Sequence, residues 1–324
     1  MERELTMDLA RVTEAAALAS ARWVGRGNKE AADDAAVEAM RAVFDTLHMQ
    51  GTVVIGEGEM DEAPMLYIGE KLGTGEPPEL DVAVDPLEGT NIVAKGLTGA
   101  IAVVAVAPHG GLLHAPDMYM NKIAVGPAAV GVIHLDAPVR ENLVNVARAT
   151  GKSLDDLTVV ILDRPRHQQL IYDVRSCGAR IRLISDGDVS PAVACAIEGT
   201  GVDIMMGIGG APEGVLAAAA LRCLGGEMQG RLWPENESDI ERAKQMGIED
   251  VGKLLTLHDL VSSEDVFFAA TGITEGHLLR GVIYNRQGAL THSVVMRGKT
   301  GTVRFIEAQH CFDKKPKYAM KGAC

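Results

Sequence analysis

Residues 158–226 read TVVILDRPRHQQLIYDVRSCGARIRLISDGDVSPAVACAIEGTGVDIMMGIGGAPEGVLAAAALRCLGG. Three short apolar runs, Thr158–Leu162, Arg180–Ile184 and 202–206, are rich in Val and Ile and have the length of strands. Helical patterns at 166–177, 190–198 and 213–224 alternate with them, punctuated by Gly178, by the turn 186–188 and by Gly225 and Gly226. Strand and helix in strict alternation predict a parallel β-α-β-α-β-α unit.

Working outward, a boundary is expected near 150–157, giving a first domain over 1–155 and a second over 156–324. In the first, helices are expected over 3–24 and about 30–48. In the second helix Val37, Met40 and Phe44 form an apolar stripe that begins at Asp33, so Asp33 faces inward at the N-terminal end. Strands are expected at 52–55, at 81–84 (ending on Asp85) and at 100–107, with irregular chain from there to about 157. Beyond 226 the polar stretch 230–246 reads as helix with loop. The runs 266–270, 280–284, 291–297 and 302–307 read as strands, the last two antiparallel across 298–301.

Composition narrows the function classes. The chain has 324 residues and a formal net charge of −13, an unsuitable surface for nucleic acid or anionic membrane as main partner. An anionic substrate remains compatible if metal ions or local arginines reverse the field in one cleft. Aromatics are only 4%, so the interior must be built from Ala, Val, Leu, Ile and Met. Five cysteines without a C-x-x-C pair suit reduced thiols, and no apolar run reaches membrane-spanning length. A cytoplasmic location is expected, since the N-terminus lacks a signal-peptide pattern.

Three acidic positions share a context: Asp85 where an apolar strand ends, Glu57 just beyond another, and Glu213 opening a helix after a strand and a glycine turn. Ligands of α/β sheets bind at such carboxyl ends. Hard oxygen donors without a nearby His or Cys set point to Mg²⁺ or Mn²⁺. In 85–90, DPLEGT, Asp85 and Glu88 can converge on one centre across a proline turn. Gly89 and Thr90 then offer backbone N–H groups to a phosphate if a helix begins there. Taken alone this segment is equally an Asp-Pro turn with a helix cap, the loop 56–62 a solvated turn, and Glu213 a residue favoured by a helix dipole. Arg164 and Arg166 flank Pro165 after a strand and can grip a phosphate. Asp186 and Asp188 can accept bonds from sugar hydroxyls. A dinucleotide-binding module is the rival from another class, resting on Gly207, Gly209 and Gly210. Pro212 stands where its third glycine belongs, and the acids stay unexplained.

The words ADDAAVEAMR, GEGEMDEAPMLYIGE, DVAVDPLEGT, HAPDMYMNKIAVGP, ISDGDV, GIGGAPEGV and ATGIT together resemble bacterial class II fructose-1,6-bisphosphatase, of the lithium-sensitive, metal-dependent sugar phosphatase superfamily. The resemblance runs from about residue 2 to 310. It implies an α/β (α+β layered) fold of αβαβα sugar-phosphatase architecture, with two domains and an interdomain active-site cleft. It implies Mn²⁺ or Mg²⁺ held by Asp33, Glu57, Asp85, Glu88 and Glu213, with Thr90 and Asp61 catalytic. Substrate contacts are implied at Glu88, Gly89, Thr90, Tyr119, Arg164, Pro165, Arg166, Asp186, Gly187, Asp188 and Gly210. Position 164 is Arg where the family often carries Lys, which keeps the phosphate contact. The implied reaction is hydrolysis of the 1-phosphate of fructose 1,6-bisphosphate in gluconeogenesis, with a dual fructose/sedoheptulose bisphosphatase as the alternative. The implied partner is this small sugar bisphosphate alone, and the implied assembly a homo-oligomer, dimer or tetramer.

Overall fold

The chain begins with an almost wholly buried helix, α1 (Leu5–Ser20), whose Leu9, Val12, Ala16 and Ala19 are the residues the helical spacing selects. A single 3-10 turn, Ala21–Trp23, ends it. The computed structural model describes residues 5–58 and 65–314. Next comes α2 (Lys29–Phe44), started by Asn28, whose side chain accepts from the Ala31 N–H. Then follow β1 (Gln50–Ile55), β2 (Lys71–Leu72), β3 (Glu79–Glu88), the short α3 (Thr90–Lys95) and β4 (Ile101–Pro108).

The middle of the chain supplies β5 (Tyr119–Val125), α4 (Val139–Thr150), β6 (Thr158–Leu162), α5 (Gln168–Ser176) and β7 (Arg180–Ile184). It continues with α6 (Val189–Ala194), β8 (Ile204–Gly210), α7 (Ala211–Leu224), β9 (Glu227–Trp233), α8 (Glu237–Gln245), β10 (Leu255–Thr256) and α9 (Leu257–Leu260). The chain then adds β11 (Phe267–Gly272), β12 (Ile283–Asn285), β13 (Gly288–Arg297) and β14 (Thr302–Cys311).

The described strands form two sheets, so the protein is a layered α/β structure. One has the order β12-β13-β11-β4-β3-β1-β2, with β14 on the other side of β13; the second has the order β10-β9-β5-β8-β6-β7. The expected parallel unit is present, with β6 paired parallel to both β7 and β8. Alternation along its strands divides the interior: Val159, Ile161, Ile204 and Met206 face the α4 and α5 side, and Val160 faces the α6 side. Small side chains allow this close stacking; of the aromatics Phe44, Phe267 and Phe268 are fully buried, while Tyr172, Trp233 and Phe305 are exposed.

Three expectations are corrected. The stretch expected to be irregular contains β5 and α4. Its residues 119–125 alternate Met120, Lys122 and Ala124 with Ile123 and Val125, all buried, so both faces are covered and the simple polar/apolar alternation is lost. The stretch 230–246 yields β9 as well as α8. Compactness also divides the chain differently from a cut near 155: residues 113–262 form one unit, and residues up to Leu112 join those from Ser263 onward in the other. The physical reason is strand pairing. β5 pairs with β8 and β9, drawing it into the second sheet, while β11 pairs with β4 and β13, returning the chain to the first.

Candidate active site

In the first unit the candidate residues gather at one end of the sheet. β1 and β3 are parallel neighbours, with Ile55 opposite Ala83. Glu57 and Asp85 each lie two residues further on, at the same level. Gly56 permits this exit, because a Cβ there would stand 1.9 Å from the Leu66 carbonyl oxygen. Asp33, at the start of the second turn of α2, is half-buried while its neighbour Asp34 is exposed, as the apolar stripe requires. The carboxyl groups of Asp33 and Glu57 share a hydrogen bond. Burial pushes the Asp33 carboxyl up to about 6, Asp34 adds to the rise, and the bond to Glu57 opposes it. Two acids in contact need a proton or a cation between them.

The segment 85–90 departs from the expected proline turn. β3 runs through it to Glu88, across a bulge: Asp85 pairs with Val103 and Glu88 with Ile101, three steps against two. On a regular strand residues three apart point to opposite faces. The extra residue reverses that parity and lets both acids serve one side. The Leu87 N–H donates to Asp85 Oδ1 at 3.1 Å, fixing the bulge locally. Glu88 is buried, Gly89 takes a left-handed conformation with φ 99°, and α3 opens at Thr90, as expected. Asp61 lies outside the described residues.

In the second unit the candidates sit at the carboxyl ends of β6, β7 and β8 and the start of antiparallel β5. Arg164 donates to the Ser185 carbonyl at 2.6 Å and pairs with Asp186 at 3.4 Å. Arg166, beyond Pro165, donates twice to the Ile208 carbonyl and lies over the Tyr119 ring, 4.4 Å from its centroid. Tyr119 in turn pairs with Gly210 across the β5–β8 ladder. Gly187, at φ 73°, turns the chain between Asp186 and Asp188. Asp188 is buried against Lys122, 2.6 Å away, and Lys122 also donates to the Gly210 carbonyl at 2.8 Å. Asp188 therefore acts from inside, holding the turn, rather than presenting an open acceptor.

Glu213 enters from the first turn of α7 and is half-buried, with its Oε2 buried and making no hydrogen bond. Burial first, and Asp188 next, push its carboxyl above the usual range, while Lys122 opposes them. The glycines before it have an internal purpose. A Cβ on Gly207 would stand 3.0 Å from the His167 ring, one on Gly209 1.9 Å from Asp188, and one on Gly210 1.8 Å from Glu213. Each makes room for a side chain of the protein itself, which removes the ground for reading them as a dinucleotide loop.

These donors suit a hard divalent cation. All are carboxylates, the Glu213 Oε2 is buried without a hydrogen bond, and Asp33 and Glu57 share a bond that excess negative charge would otherwise break. Among the described residues no three acidic, histidine or cysteine side chains close around a common point.

The family described as bacterial fructose-1,6-bisphosphatase, glpX-encoded, matches residues 3–310. The chain belongs to this family. It is 48% identical to fructose-1,6-bisphosphatase 1 class 2 of Escherichia coli (strain K12) over 328 aligned positions, covering 97% of each chain. The fructose-1,6-bisphosphatases class 2 of Escherichia coli O6:H1 and Shigella flexneri match to the same extent. Sequence reasoning missed two residues within this family's candidate site, Lys122 and His167. Lys122 had a signal: a charge at the apolar face of the run 118–125. His167 had none beyond its place beside Arg166.

Proposed function

We propose that the chain hydrolyses the 1-phosphate of fructose 1,6-bisphosphate to fructose 6-phosphate, in the cytoplasm, as a homo-oligomer, dimer or tetramer. Membership of the class 2 family along nearly the whole chain carries this reading. The site chemistry supports it, with carboxylates for a cation and arginines for a phosphate. No described helix is long and apolar enough to cross a membrane.

Asp33, Glu57, Asp85, Glu88 and Glu213 would hold Mn²⁺ or Mg²⁺. When bound, such an ion supplies positive charge against the transferring phosphoryl group and a water of lowered pKa. The chain's residues do the rest. Gly89 and Thr90 orient the 1-phosphate through their backbone N–H groups and the Thr90 hydroxyl, with Asp61 as a second catalytic group. Arg164 and Arg166 hold the distal phosphate, and Tyr119, Asp186, Gly187, Asp188 and Gly210 shape the sugar subsite.

Glu213→Gln and Thr90→Ala test this assignment. Each should lower kcat by about 100-fold or more, the scale of a lost transition-state contact, at unchanged circular dichroism. Glu213→Gln should also weaken Mn²⁺ binding in equilibrium dialysis, and Thr90→Ala should not. A near-normal rate in either variant contradicts its role. Comparison with sedoheptulose 1,7-bisphosphate under the same conditions sets the sugar preference.

A further inference from the structure

His167 is buried, at 2% exposure, directly after the arginine turn. Its Nε2 accepts the Ile208 N–H at 2.7 Å, so in the neutral ring the proton sits on Nδ1, which donates to the Leu162 carbonyl at 2.7 Å. The ring thus ties the end of β6 to the end of β8. It lies against Gly207, whose φ of 132° and missing side chain leave it room. The same residue, Ile208, that binds His167 through its N–H accepts Arg166 Nε and Nη2 on its carbonyl, in the next peptide group, at 3.1 and 2.8 Å. Arg166 lies over Tyr119. Leu162, His167, Ile208, Arg166 and Tyr119 therefore form one continuous chain of contacts, and every link but the ring is backbone or an assigned substrate residue.

We infer that His167 is a positioning residue: in its neutral form it fixes the Ile208 segment that orients Arg166 for the substrate's distal phosphate. The inference rests on the reading of Arg164 and Arg166 as the phosphate grip. A protonated ring cannot accept the Ile208 N–H, so acidification should release the anchor and loosen the grip. The charged groups facing the ring are Arg164 and Arg166 on its own turn and Asp188 from the turn after β7. Burial, with the two arginine charges, holds the imidazole below its ordinary range and keeps it neutral at physiological pH; the Leu162 bond and Asp188 act in the opposite sense.

The test uses the full chain saturated with Mn²⁺, with kcat and KM for fructose 1,6-bisphosphate measured from the ordinary imidazole range downward and upward in pH. His167→Phe keeps a ring but neither bond. It should raise KM about tenfold at every pH with kcat within about threefold, the split expected when ground-state positioning of a remote group is lost. His167→Gln restores an acceptor near Nε2 that does not titrate. It should bring KM back towards the wild-type value and remove the rise in KM that the wild type shows on acidification. Substrate and carboxylate titrations are common to all variants and cancel in the comparison. An unchanged KM in His167→Phe, equal losses in kcat and kcat/KM, or a wild-type acid rise in His167→Gln each overturn the inference. If His167→Phe does not fold, the pH profile of His167→Gln decides alone. Arg166→Ala separates the two levels: a raised KM there with a normal His167→Phe defeats only this inference, and a normal KM in Arg166→Ala defeats the phosphate grip itself.

Discussion

At the scale of the residue, the site is built by side chains that glycines allow to fold close. Gly210 and Gly56 show two consequences of the same device. A Cβ on Gly210 meets only the flexible end of Glu213, whereas one on Gly56 meets the Leu66 carbonyl. Gly210→Ala should therefore stay folded, within about 1 kcal/mol of wild type, yet lose activity because Glu213 is displaced. Gly56→Ala should cost about 2 kcal/mol or more, since backbone must move. Denaturant melts and a phosphate-release assay on both variants check the contrast. Asp33 gives a prediction in pH. Its folded-state carboxyl lies at about 6, above its ordinary value of 3.8, because burial and Asp34 penalise the charge. The folded chain thus binds more protons than the unfolded one in that window. The stability this group contributes is present below the ordinary value and is lost as pH rises through about 6. In the chelated protein, the melting temperature should fall more steeply over that window than in Asp33→Asn, and the two curves should be parallel if the reading is wrong. The Asp33 placement was legible from one helical stripe. The Asp33–Glu57 bond was not, because it joins residues brought together only by the packing of α2 on the sheet at β3.

At the scale of the element, the informative failure is Pro86. An Asp-Pro pair reads as a turn because proline lacks an N–H and restricts the preceding residue. Here it lies inside β3, a strand between two neighbours, where a proline is normally excluded. It is tolerated because it falls in the gap where the β3–β4 register slips, between Asp85 and Glu88. No ladder donor is lost there. Pro86→Ala should accordingly change stability by no more than about 1 kcal/mol, measured by urea melts; a loss of several kcal/mol would show that the ring itself holds the bulge. The order β-α-β-α-β of 158–226 was legible from short apolar runs between helices, but the third strand, β8, is shifted from the expected 202–206 and runs through the glycines read as a turn. β5 was hidden because both its faces are buried and a lysine interrupts its apolar pattern.

At the scale of the whole molecule, the fold class could be read from alternation, but the partition could not. Local periodicity carries no record of which distant strand β4 will pair with, and its partner β11 begins 159 residues after β4 ends. The chain leaves one sheet, completes a second unit over 113–262 and returns. The candidate residues divide likewise, with Asp33, Glu57, Asp85, Glu88 and Thr90 in one unit and Tyr119, Arg164, Arg166, Asp186 and Glu213 in the other. A fructose-1,6-bisphosphatase that works through such carboxylates depends on a divalent metal. Phosphorus NMR of fructose 1,6-bisphosphate incubated with the chain tests it most directly, with Mn²⁺ or Mg²⁺ present, after EDTA, and after metal is restored. The 1-phosphate signal should be lost with the 6-phosphate retained, with complete arrest on chelation and recovery on adding metal back. Hydrolysis that continues after complete metal removal, or release of the 6-phosphate first, would contradict it.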